Sequence, residues 1–210
     1  MASVNRRSVM TLFTSPDGPE CHRARIVLAE KELSAEIIEV SGNDRPEDFI
    51  DLSPNGDLPT LADRDLVLTN ARVIMEYLDE RFPHPPLMPV DPVSRAKVRT
   101  ALYRIEKDWY GLLPDFERGE KTVARARKQL RESILSLSPL FAAMPFFMSE
   151  EFSLADVTIA AVLWRLPVYG VDLPAAQSKP IHDYMKRVFD RPTFRASLTE
   201  AEQEIRSDWT

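Results

Sequence analysis

Pro83-His84-Pro85-Pro86-Leu87-Met88-Pro89 divides this sequence into two parts with different periodicities. Four of its seven residues are proline. Each fixes φ and removes a backbone donor, so the stretch forms neither a helix nor a central strand. It reads as a stiff, extended connector between a helix over Asn70–Phe82 and a helical run that begins near Val93. It also displays His84 on a segment with little conformational entropy left to lose on binding. Two readings are open: a rigid hinge between domains, or a docking surface for another protein.

Upstream of the connector, strands and helices alternate. Ser8–Phe13 reads as a short buried strand, and Thr14–Glu20 as a loop with two prolines and a glycine. Cys21, Ala24, Val27 and Leu28 then recur at helical spacing as far as Lys31. Glu36–Val40 is a second strand, and Pro46–Leu52 a short helix with proline in its first turn. Residues 60–68 read as a hairpin. In the next helix Asn70 is a good cap, and Val73, Ile74, Tyr77 and Leu78 make an apolar stripe. The order β-α-β-α-β-β-α is that of an α/β domain.

Downstream, the pattern is helical throughout. Leu102, Ile105, Trp109 and Leu112 share one face, and Leu130, Ile134, Leu137 and Phe141 share another. Ser153 with Asp156 at the third helical position forms a capping box, with aspartate in place of the usual glutamate. The run Ala155–Leu166 is apolar nearly all round, which predicts a central, buried helix. A last helix covers Ile181–Phe189 and is stopped by Arg191-Pro192.

Composition narrows the function classes. The 210 residues, 44% hydrophobic and 29% charged, are ordinary for a soluble globular protein of one or two domains. No apolar run approaches the ~18 residues of a membrane span, and Met1–Ser8 lacks the apolar core of a secretory signal. The single cysteine, Cys21, excludes an internal disulfide and fits a reducing, cytoplasmic setting. His22, His84 and His182 are scattered and make no zinc pattern. Residues 1–90 hold nine Lys/Arg against sixteen Asp/Glu, whereas residues 91–210 hold eighteen against seventeen. So acidic a first half repels a phosphate backbone and suits a basic protein partner. Arg118, Lys121, Arg125, Arg127, Lys128 and Arg131 are interspersed with glutamates and read as a solvated helix face, or at most an accessory nucleic-acid contact.

Several segments resemble the glutathione transferase superfamily. Leu58-Pro59-Thr60 lies where that family keeps a cis-proline, Arg25–Lys31 matches its first helix, and Phe152-Ser153-Leu154-Ala155-Asp156 matches the cap of its core helix. The resemblance covers nearly the whole chain. It implies a thioredoxin-like domain over 1–82, the connector over 83–92, and an all-helical domain over 93–210. The strings 7–13, 74–89 and 104–110, with 196–202 near the C-terminus, are more specifically similar to the stringent starvation protein A family. That resemblance implies a dimeric bacterial regulator that binds RNA polymerase holoenzyme and its sigma factor through Pro83, His84 and Pro85. The partner subunit would be a second copy or a paralogue.

The same alignment implies no catalytic residue and no cofactor. Thiol-using relatives open the first helix with a cysteine, and here that position holds Gly18. Cys21 falls one turn inside the helix and reads as a small core residue. Ser15 could serve as a hydroxyl group in the same loop, although Ser-Pro is ordinary turn chemistry. Relatives that grip glutathione place an acidic residue and a serine where this chain has Asn70-Ala71. The loss of both groups predicts weak glutathione binding. A glutathione-dependent transferase or reductase remains the alternative to the regulator, on fold alone.

Overall fold

The computed structural model of the protein describes residues 9–42 and 45–207. Met1–Ser8, with the first residue of the expected Ser8–Phe13 strand, lies outside them. The chain forms two compact units. The first runs to Pro85 and takes in Ala196–Glu204; the second begins at Pro86, runs to Arg195 and resumes at Ile205. The sequence had assigned all of 93–210 to the helical part, so the return of 196–204 to the first unit is a difference.

The first unit is a four-stranded mixed sheet with helices. Its elements are β1 (Thr11–Thr14), α1 (Pro19–Glu30), β2 (Glu36–Glu39), α2 (Glu47–Leu52), β3 (Thr60–Asp63), β4 (Leu66–Leu68) and α3 (Ala71–Arg81). Strand order is β2-β1-β3-β4, with β1 parallel to β2 and antiparallel to β3. β1 is the buried strand, as its apolar run requires. It starts three residues later than the sequence reading. Phe13, Val40 and Phe49 make a core cluster, with the two phenylalanine rings 5.4 Å apart. The Leu58–Pro59 bond is cis, as the resemblance implied.

α3 is capped by Asn70, whose side-chain oxygen accepts from the Val73 amide at 3.2 Å. Its buried face is Ala71, Ile74, Met75 and Leu78, an i, i+3, i+4, i+7 set. Val73, assigned to that face from sequence, is 50% exposed. Tyr77 lies at its edge and donates to Asp63 Oδ2 at 2.7 Å.

The second unit is helical: α4 (Pro92–Asp108), a 3-10 segment (Tyr110–Glu117), α5 (Glu120–Ser136), α6 (Ser138–Ala143), α7 (Leu154–Trp164), α8 (Leu166–Tyr169), α9 (Ala175–Phe189) and α10 (Pro192–Ala196). Proline explains where the structure breaks runs that the periodicity had joined. Pro139 separates α5 from α6, and Pro167 separates α7 from α8, because neither can donate the continuing helical bond. α7 is buried along its whole length, as its apolar run predicts. Its capping box is present: Ser153 Oγ accepts from the Ala155 amide, and Asp156 Oδ2 accepts from the Ser153 amide at 2.9 Å.

The C-terminal helix, α11 (Glu200–Glu204), belongs to the first unit. A second capping box starts it: Thr199 N donates to Glu202 Oε2 at 3.0 Å, and Glu202 N donates to Thr199 Oγ1 at 3.2 Å. This segment covers the polar side of α1. Arg25 pairs with the buried Glu202 and donates to the Ser197 carbonyl at 3.1 Å, and His22 Nε2 lies 2.9 Å from Ser197 Oγ. α1 can therefore bury His22 and Arg25 as well as its apolar stripe.

Candidate functional site

The proline-rich turn is built from the end of α3 and the end of α1. Pro83 disfavours a helical Phe82, so α3 ends there with the Phe82 amide on the Leu78 carbonyl. α1 ends in a Schellman-type turn, with Glu32 at φ 50° and the Leu33 amide returning to the Leu28 carbonyl at 2.9 Å. That turn fixes Lys31, whose side chain is 0% exposed. Its ammonium donates to the Phe82 carbonyl at 2.7 Å, the Pro85 carbonyl at 2.7 Å and Asp79 Oδ1 at 2.8 Å. An ammonium has three donors, and each meets an acceptor here.

The turn itself is solvent-facing. Pro83, His84, Pro85 and Pro86 are all exposed, and the His84–Pro85 bond is cis. Leu87 and Met88 are buried. The Leu87 carbonyl accepts from the Leu154 amide at 2.9 Å, and the Pro89 carbonyl from Arg95 Nε at 3.0 Å. With no ladder available to a proline-rich segment, its carbonyls are taken up by side chains and a helix start. Farther along the connector Val90 is 88% exposed. The structure thus brings Pro83, His84 and Pro85 together on one exposed turn whose flanking Phe82 and Pro85 carbonyls are held by Lys31.

The loop between β1 and α1 is tied down from several sides. Ser15 Oγ accepts from the Gly18 amide at 2.8 Å, which is turn capping. A side chain at position 18 would place its Cβ 2.4 Å from that hydroxyl oxygen. Cys21 is buried, and its sulfur accepts from the Ser15 amide at 3.2 Å. Arg25 ties the loop down further through the Thr14 hydroxyl and the Ser15 carbonyl, and Thr199 Oγ1 donates to the Pro16 carbonyl. Asn70 is used as a helix cap, and Ala71 is buried beside it. A cavity of about 360 Å³ lies next to this loop, lined by Ser15, Pro16, Asp17, Arg45, Phe49 and Leu58 among others. Among the described residues, no group of three or more His, Cys, Asp or Glu could hold a metal ion, and no helix is long and apolar enough to cross a membrane.

The basic run lies on and just before α5 and is exposed throughout. Arg118 and Arg125 pair with Asp115, and Lys128 pairs with Glu132. Arg127 Nε donates to the Tyr169 carbonyl at 3.1 Å. These pairings are those of a solvated face.

Sequence reasoning missed Lys31 and Asp79 as parts of the turn. Lys31 had appeared only as the last residue of a helix. Its acceptors lie 51 and 54 residues away, and no local spacing encodes them. The link between α1 and the C-terminal segment was also missed, although Thr199-Glu200-Ala201-Glu202 carries a readable capping signature.

Comparisons with known proteins bear on both parts of the chain. The glutathione S-transferase N-terminal domain family matches residues 12–86, and the glutathione S-transferase C-terminal domain family matches residues 101–192. Among solved structures, a tau class glutathione S-transferase from mango (Mangifera indica) superposes with a TM-score of 0.81 at 24% identity, covering 97% of this chain and 99% of that one, which establishes the fold. The stringent starvation protein A homologue of Pasteurella multocida is 55% identical over 198 residues, covering 94% of this chain and 93% of its own. That of Coxiella burnetii is 46% identical over 202 residues, covering 96% and 97%. Identity of this extent across both units, on a transferase fold, means that the chain belongs to the stringent starvation protein A family.

Proposed function

We propose that this chain is a bacterial transcription regulator that binds RNA polymerase holoenzyme, including its sigma factor, through Pro83, His84 and Pro85. It acts in the stringent, starvation and stress response, in the cytoplasm where the polymerase works. The observation that carries this reading is the exposed turn Pro83-His84-Pro85, whose Pro85 carbonyl is held by the buried Lys31. A surface that is ordered before it meets its partner loses less entropy on binding. Its prolines supply apolar area, and the imidazole supplies a hydrogen-bonding group. By restricting how sigma engages a promoter or an activator, such a complex would select promoters with no bond made or broken. The protein acts as a dimer, of two copies or with a paralogue, and contacts nucleic acid at most as an accessory.

The reading excludes transferase chemistry. Position 18 carries no side chain, Cys21 is buried in the core, and Asn70-Ala71 offers neither a negative charge nor a hydroxyl to a γ-glutamyl group. One observation favours the alternative, a glutathione-dependent enzyme: the cavity beside the Leu58–Pro59 loop. A pull-down of polymerase from cytosol with wild type and His84→Ala, alongside glutathione calorimetry, separates the two. The regulator retains polymerase in the wild type only and gives no heat with glutathione. Equal capture by both proteins, or micromolar glutathione affinity, would contradict it.

A further inference from the structure

We propose that Lys31, balanced by Asp79, is the positioning residue that holds the Pro83-His84-Pro85 turn in its binding-competent form. The proposal rests on the docking reading given above and concerns how that site is built. Lys31 is not itself part of the exposed surface. Its side chain is wholly buried, and two of its three donors are spent on the carbonyls of Phe82 and Pro85, the residues that bracket Pro83 and His84.

The geometry explains why a cation sits there. A segment rich in proline has acceptors but few donors, so it cannot order itself by backbone hydrogen bonds. An external donor must reach two carbonyls three residues apart from the same side. Charged donors make shorter, stronger bonds than neutral ones. A lysine ammonium on a four-carbon stem presents rotatable donors, whereas the planar fork of arginine does not match two divergent carbonyls and a carboxylate. Burying the charge has a desolvation cost, which Asp79 at 2.8 Å offsets. The bridge also joins α1 to α3, so a purely structural role is the competing explanation.

The two roles predict different results for two variants. Lys31→Met with Asp79→Asn keeps the side-chain volumes, leaves no buried charge and removes both bonds to the turn. Asp79→Asn alone removes the counter-charge but keeps the ammonium on both carbonyls. If Lys31 positions the turn, the double variant lowers the NMR order parameter of the His84 backbone. It also weakens holoenzyme affinity about tenfold, which corresponds to a turn that is competent about a tenth of the time. Asp79→Asn alone lowers the thermal midpoint yet binds holoenzyme within about twofold of wild type. A double variant with an unchanged His84 order parameter or wild-type affinity would overturn the inference. So would an Asp79→Asn variant that lost as much affinity as the double variant with its His84 order intact. Pro83→Ala/His84→Ala/Pro85→Ala is the control for the reading beneath it. Wild-type binding by that triple variant would refute the docking site itself, and the positioning role with it. Loss of binding by the triple variant together with full binding by the double variant would refute the positioning role alone.

Discussion

Asp156 gives a quantitative test of how this sequence sets its core. Its carboxyl group is fully buried and accepts from four donors: the Phe147 amide at 2.8 Å, the Tyr184 hydroxyl at 2.8 Å, the Ser153 amide at 2.9 Å and the Ser153 hydroxyl at 3.0 Å. Burial disfavours the charge while the hydrogen bonds favour it, and burial wins: the carboxyl is raised from 3.8 to about 6. Burial likewise drives Tyr184 well above its ordinary value, so its hydroxyl stays a donor across the accessible range. The folded state therefore holds the Asp156 proton more tightly than the unfolded chain does. The stability from this group is complete below about pH 4 and is lost as pH rises through about 6, a loss of about 3 kcal/mol. Asp156→Asn removes that titration. It also places an amide donor against one pair of donors, which costs about 2–4 kcal/mol at low pH. Urea denaturation of both proteins from pH 4 to 8 is the assay. The stability gap between wild type and variant is expected to narrow by about 3 kcal/mol across that range. A gap that stays constant, or widens, would show that the buried carboxyl is not the group that titrates.

Ser153→Ala should cost about 1 kcal/mol or somewhat more, since it removes a cap in a buried setting; an unchanged urea midpoint would exclude Ser153 as that cap. Glu202→Gln leaves the buried Arg25 without its counter-charge and is expected to destabilise the first unit by about 3–5 kcal/mol, measured by chemical denaturation; a loss under 1 kcal/mol would show that the segment 196–204 is only loosely coupled to α1. Calorimetry at millimolar glutathione should give no binding heat, because the pair Asn70-Ala71 lacks two groups, each contributing about 1.5–3 kcal/mol; a low-micromolar dissociation constant would restore the enzyme reading. Light scattering at tens of micromolar should give the mass of a dimer, and a strictly monomeric mass would remove that part of the proposal.

Much of the architecture could be read from the sequence because local rules fixed it. The connector was set by the covalent geometry of proline, the start of α7 by Ser153 and Asp156, and the start of α3 by Asn70. Where the reading slipped, tertiary packing or a single residue decided. The stripe on α3 differs from the sequence reading because Val73 and Met75 are both apolar, and only the packing of α3 against α1 selects Met75 for burial. The runs Leu130–Phe141 and Ala155–Leu166 were joined because apolar spacing continued across Pro139 and Pro167. At the candidate site the exposed residues were legible, since a turn announces itself by composition. The buried Lys31 was not, because a lysine at a helix end is ordinarily solvated. The same limit hid Arg25 and Glu202, whose pairing spans 177 residues.

The central claim, that the exposed proline-histidine turn is a docking surface, is tested most directly by the affinity of Pro83→Ala/His84→Ala/Pro85→Ala for purified RNA polymerase holoenzyme, measured beside its thermal midpoint. The three side chains are exposed and outside the core, so a docking role predicts a midpoint close to wild type together with loss of holoenzyme binding. A hinge role predicts a lowered midpoint or altered domain arrangement, with binding lost only as far as the fold is lost. A folded triple variant that binds holoenzyme as tightly as wild type would contradict the account.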